Sequence, residues 1–131
     1  KKIIFIFSTQ ITILLFFVNY IFKTLWGRTR PKDIINFGGD DYFTPWFEIG
    51  EVCQKNCSFV SGDASVGFSL IVLYFITKKI VFFYLSILLG FSIGFVRVGE
   101  GGHFISDVLF SGLMVVALNL IFFKAFKKYY E

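Results

Sequence analysis

Residues 104–123 read FISDVLFSGLMVVALNLIFF, twenty residues with a single charge, Asp107. As a helix rising 1.5 Å per residue, the run spans about 30 Å, the thickness of a bilayer's hydrocarbon core. Working outward, three more apolar runs precede it: Ile3–Phe22, Ala64–Thr77 and Ile80–Val96. The four runs fill over half of the 131 residues, yet of 13 basic and 9 acidic side chains only Asp107 lies inside them. The chain is 56% hydrophobic and 17% charged, with mean hydropathy +0.72. These values exclude a water-soluble globule and a disordered chain. The runs lack period-two alternation and are too long for strands. The expected fold is all-α: an integral membrane helical bundle with four transmembrane helices. Ile80–Val96 is near the lower length limit. Ala64–Thr77 is short, so its start is expected to lie below the membrane surface, packed in protein.

The chain starts at Lys1 without Met, directly before an apolar run. A fragment or processed product is therefore expected, with helices missing upstream. The first run is longer than a signal-peptide core and has no small-residue cleavage site. Residues 1–131 read as one membrane domain with a long loop at 23–63. Lys1 and Lys2, Lys78 and Lys79, and Lys124, Lys127 and Lys128 all fall on one side of the spans. The positive-inside rule makes that side cytoplasmic. The opposite side receives the long loop and the 97–103 turn. Lys23, Arg28, Arg30 and Lys32 sit on this outer side, against the topological trend. Binding a phosphate would account for them.

The loop is rich in aromatic residues, among them Trp26, Phe43 and Trp46, as expected of an interfacial belt or of a groove guiding a lipid. Gly38-Gly39-Asp40-Asp41 reads as a turn, and its acids lack further ligands for a metal. Cys53 and Cys57 lie four apart on the outer side, where a disulfide and two free thiols are both open readings. One His and no second Cys pair argue against zinc. No metal, cofactor or nucleic-acid partner is expected.

Three polar clusters mark the outer ends of the spans: Lys23 to Pro31, Ser58 to Ser65, and Arg97 to Asp107. Under the topology above they face one compartment. Lys23, Arg30 and Arg97 supply a point charge and two guanidinium forks suited to phosphate oxygens. Ser61 offers a hydroxyl, and Gly62 permits close backbone approach at a helix start. His103 and Asp107 are four apart, hence on one helical face. A carboxylate on one imidazole nitrogen would leave the other free to attack. Asp107 is also an intramembrane charge, a functional candidate by default, with His103 as its nearest expected partner.

These clusters resemble the signature of the type 2 phosphatidic acid phosphatase superfamily: Lys-x6-Arg-Pro, then Pro-Ser-Gly-His, then Ser-Arg-x5-His-x3-Asp. Lys23, Arg30 and Pro31 fit the first motif, and Arg97, His103 and Asp107 the third, with local context similar to the bacterial membrane branch that includes lipid A phosphatases. The resemblance implies a six-helix core, of which four helices are visible, and metal-independent phosphate ester hydrolysis. His103 would attack phosphorus, oriented by Asp107. Lys23, Arg30 and Arg97 would hold the phosphoryl oxygens, with Ser61 and Gly62 completing the cradle. Val60, Asp63 and Val96 depart from the pattern. Asp63 stands where the family has the His that protonates the leaving oxygen, and could act as acid only as a protonated carboxylic acid.

The function expected is hydrolysis of a lipid phosphate at the outer face of the bacterial inner membrane, with the site facing the periplasm. Lipid A, an isoprenoid (pyro)phosphate or a phosphatidylglycerol phosphate are the candidate substrates. The alternatives are a lipid-phosphate-binding protein disabled at Asp63 and a lipid phosphotransferase.

Overall fold

The computed structural model describes residues 1–130. Four main helices follow in order: α1 (Lys2–Leu25), α2 (Gly62–Thr77), α3 (Ile80–Gly99) and α4 (Ile105–Ala125), closed by the short α5 (Lys127–Tyr130). The long loop holds two 3₁₀ turns, Pro31–Asp33 and Ile35–Phe37. The described residues contain no strand, only an isolated bridge between Ile34 and Asp41. The all-helical membrane reading holds. Three helices, α1, α3 and α4, are long and apolar enough to cross a bilayer. The fourth expected span, α2, is shorter and breaks at Leu70 between Gly62–Ser69 and Ile71–Thr77.

Burial is arranged for lipid rather than for water. Ser86, Ser111 and Asn119 are buried, while Leu88, Phe95, Leu113 and Ile121 on the same helices are exposed. In water this pattern would expose a large apolar surface; in hydrocarbon it costs little, and the polar groups must find partners inside. They do. Gln10 Nε2 donates to Asn119 Oδ1 at 2.7 Å, joining α1 to α4. Ser86 and Ser111 donate to carbonyls one turn back.

Small residues let the helices close. A Cβ on Gly67 of α2 would stand 2.7 Å from Gly90 N of α3, and one on Gly94 would stand 2.3 Å from Val108 Cγ1 of α4. Phe68 fills the space this approach leaves, its ring in edge contact with Phe91 at 5.3 Å and close to Gly90 and Gly112. Glycine serves here as it does at membrane helix crossings, by permitting backbone contact where side chains gain little from leaving lipid. At the end away from the polar clusters, Lys78 Nζ lies 3.9 Å from the centre of the Phe123 ring. The α2–α3 turn and the end of α4 are thus neighbours, as the lysine pattern requires.

In α1, Thr12–Phe22 is π-helical, an i→i+5 winding that apolar periodicity does not reveal. Asn19 lies on this stretch, next to Gly62. Lys23 follows within the same helix.

Candidate active site

The centre of the site is a buried knot of four side chains. His103 and Asp107 are fully buried, and Asp107 is the third residue of α4. Its carboxylate accepts from Arg28 Nη1 on Oδ1, and from Ser58 Oγ and the Phe104 N–H on Oδ2, the last at 2.8 Å. Arg28 is buried too. It donates Nε to Thr44 O at 2.9 Å and Nη1 to Ser106 Oγ at 2.8 Å, and its guanidinium lies 4.1 Å from the centre of the Phe104 ring. A buried carboxylate is tolerable when a cation neutralises it and hydrogen bonds occupy its remaining lone pairs; both conditions are met here.

Ser58 is the junction. Its N–H donates to Arg28 O at 2.8 Å, its hydroxyl donates to Asp107, and its carbonyl lies 2.7 Å from His103 Nδ1. Asp107 Oδ2 is 3.7 Å from the same nitrogen. The orientation expected from Asp107 thus falls, at hydrogen-bond distance, to the Ser58 carbonyl. The chemical result is the same. A carbonyl oxygen only accepts, so Nδ1 carries a proton, and in the neutral ring Nε2 is then the nitrogen with the free lone pair. Nε2 is buried and has no hydrogen-bond partner among the described residues.

The second group holds the cations. Lys23 Nζ donates to Asn56 Oδ1 at 3.3 Å. Arg30 donates Nε and Nη2 to the Asn56 carbonyl at 3.0 and 2.9 Å. Arg97 Nε lies 2.9 Å from Asp63 Oδ2, and its Nη1 pairs with Glu100. Lys23 is within electrostatic reach of Arg30, Asp63 and Arg97 alike, so the four charges share one region. A Cβ on Gly62 would stand 3.4 Å from Lys23 Nζ, and one on Gly102 would stand 3.4 Å from Arg97 Nη2. Lys23 therefore approaches the start of α2, and Arg97 lies over the residue before His103. Ser61 caps α2, with Oγ accepting from the Ala64 N–H, and donates its own N–H to Asp107 O at 3.2 Å. That bond joins the two groups. Asp63, by contrast, is exposed on the outer rim of this arrangement.

Asn56 deserves its place through geometry. It has φ +52°, inside a loop closed by a Cys53–Cys57 disulfide whose Cα atoms are 5.7 Å apart. One residue thereby holds two cations by two different acceptors. Asn56→Gly keeps the carbonyl and the left-handed backbone and loses only the Lys23 contact, whereas Asn56→Val disfavours the backbone itself. Inhibition by inorganic phosphate is expected to weaken severalfold, about 5-fold at most, in Asn56→Gly, and further in Asn56→Val. Equal inhibition constants in all three proteins would remove Asn56 from this role.

Arg28, Ser58 and Asn56 are absent from the set expected from sequence. A signal for Arg28 did exist. A lone carboxylate in a span calls for a permanent cation, which a neutral imidazole cannot supply. Ser58 and Asn56 act in part through main-chain carbonyls, which sequence does not mark.

Beside the knot opens a cavity of about 720 Å³, with His103 and Arg28 in its wall and Phe37, Phe43, Phe104 and Ile105 supplying apolar surface.

The sequence model of the PAP2 superfamily matches residues 2–131. Among curated proteins, the chain is 48% identical over 102 residues to a lipid A 4'-phosphatase of Francisella tularensis subsp. novicida (strain U112), covering 75% of this chain and 46% of that one. It is 37% identical over 109 residues to a lipid A 4'-phosphatase of Rhizobium leguminosarum, covering 79% and 47% respectively. The chain spans less than half the length of these relatives. No solved structure matches. Motif spacing, the convergence of the three clusters and the match along nearly the whole chain agree, and the chain belongs to the PAP2 superfamily.

Proposed function

We propose that this chain carries the catalytic site of a membrane phosphatase that hydrolyses a lipid phosphate monoester through a phosphohistidine. The observation that carries the reading is His103: a buried imidazole with Nδ1 held by the Ser58 carbonyl and Nε2 unpartnered among the described residues. In the reaction Nε2 attacks phosphorus and the bond to the leaving oxygen breaks. Lys23, Arg30 and Arg97 balance charge on the equatorial oxygens. Ser61 and Gly62 complete the cradle at the α2 start. Water then attacks the phosphohistidine, and phosphate leaves. The large aromatic-walled cavity beside His103 suits an acyl chain entering from the bilayer. Relatives named lipid A 4'-phosphatase favour a lipid A-type substrate. The cationic cluster at one end of the helices, with Lys78, Lys79 and Lys124 at the other, supports a site on the periplasmic face of a bacterial inner membrane.

Asp63 takes the acid role in this scheme. It is ion-paired with Arg97, and an arriving phosphate competes with it for that guanidinium. In the bound complex a protonated Asp63 carboxyl would give its proton to the leaving oxygen. Asp63→Asn is expected to lower kcat by about 10²-fold and to change the pH–rate profile. Asp63→His is expected to retain activity. An unchanged rate and profile in Asp63→Asn would dismiss the acid role. The Asp63–Arg97 pair also favours one second reading, a protein that binds lipid phosphates without turnover. Release of free phosphate from labelled lipid by the wild type decides between them.

A further inference from the structure

Asn19 is a polar side chain inside the first apolar run, exposed on the π-helical stretch Thr12–Phe22 and four residues before Lys23. A π winding within a helix is a frequent mark of a functional site. We propose that Asn19 orients the water that attacks the phosphohistidine, and so governs the second step of the reaction rather than the first. The inference rests on the phosphatase reading above, because it uses both the phosphohistidine and the acid role of Asp63.

Placement comes first. A Cβ on Gly62 would stand 2.9 Å from Asn19 Oδ1 and 3.4 Å from Lys23 Nζ. Both tips therefore converge on the first residue of α2, with Asp63 next along the chain. The amide is also oriented. Its Nδ2 donates to Leu14 O at 2.7 Å, and a carbonyl only accepts, so Oδ1 is the end that faces Gly62. An amide oxygen is itself an acceptor and gains nothing from phosphate oxygens held on Lys23, Arg30 and Arg97. It matches a donor, and the donor that this reaction brings to the α2 start is water. In-line attack opposite Nε2 puts the water where the leaving oxygen stood, the position that Asp63 serves. Water has two protons to place. Asp63, a carboxylate once it has given its proton away, takes one. Asn19 Oδ1 accepts a hydrogen bond from the other, which turns a lone pair of the water towards phosphorus. The O–P bond forms as the N–P bond breaks, and the bonding pair returns to Nε2. The second proton stays on the departing phosphate, and Asp63 is left protonated for the next turnover. Asn19 is exposed, so water reaches it.

The test follows two products in one rapid-mixing run of the membrane-embedded protein with a lipid A-type substrate bearing labelled phosphate. Dephosphorylated lipid reports phosphoryl transfer to His103, and free phosphate reports hydrolysis. Asn19→Leu is close to the amide in size and accepts no hydrogen bond. In this variant, first-turnover release of dephosphorylated lipid is expected within about threefold of wild type, while free phosphate lags by about tenfold or more and labelled His103 makes up the difference. Asn19→Ala is expected to show the same split. The release of lipid reports that each variant is folded. Lipid and phosphate appearing together in the variants, whether at the wild-type rate or slowed alike, overturns the role of Asn19 and leaves the phosphatase reading intact. A wild type that never carries label on His103 overturns that reading and this inference with it.

Discussion

His103→Ala is expected to lower phosphate release by about 10⁴-fold or more, the scale seen when a covalent nucleophile is removed and only binding groups remain. The size of the effect follows from the arrangement around the ring. Lys23, Arg30 and Arg97 reach their partners without touching the imidazole, so a phosphorylated lipid still finds its charge complement in the variant. Binding and chemistry therefore separate. Inhibition of wild type by inorganic phosphate and direct binding of phosphate by His103→Ala are expected to agree within a few-fold. His103→Gln is expected to be as inactive as His103→Ala, because an amide side chain is neither base nor nucleophile here. Loss of phosphate binding in parallel with turnover would assign His103 a structural role instead.

Arg28→Ala carries the second large effect, and on stability first. Asp107 is fully buried, and among the described residues Arg28 is the permanent cation that pairs with it. Truncating Arg28 leaves that carboxylate uncompensated and strands the Thr44 carbonyl and the Ser106 hydroxyl. Breaking one side of a buried pair costs about 3–5 kcal/mol. A large fall in melting temperature of the detergent-solubilised protein is expected. Removing both charges at once, in Arg28→Met/Asp107→Asn, is expected to recover much of that stability, because no ion remains unpaired. It does not restore activity, since the Ser58 hydroxyl and the Phe104 N–H lose the anion that arranges them. Arg28→Lys is expected to fall between, keeping the charge but not the three-way fork. A melting temperature unchanged in Arg28→Ala would mean the pair contributes nothing.

The membrane helices were readable because a bilayer imposes a coarse rule, charge excluded over some twenty residues, and Asp107 was the visible exception. The spacing of Lys23 to Arg30 and of Arg97, His103 and Asp107 marked the candidate site through its resemblance to the family signature. What stayed hidden depends on tertiary distance. Arg28 meets Asp107 across 79 residues, and Ser58 meets it across 49. His103 is held by a main-chain carbonyl, and both Arg30 and Lys23 end on Asn56 in a loop whose closure by Cys53 and Cys57 was an open question from sequence. The π-helical stretch of α1 and the break at Leu70 in α2 were equally invisible, being backbone adjustments to packing rather than to residue type.

The central claim is that the His103 ring, through Nε2, becomes bonded to phosphorus during turnover. The direct measurement is rapid mixing of the membrane-embedded protein with lipid substrate bearing labelled phosphate, followed by alkaline quench and mass-spectrometric mapping of the labelled peptide. Acid-labile, alkali-stable label on His103, absent from His103→Ala, is the predicted result. Turnover with no label on His103 at any mixing time, or label on another residue, would contradict the account.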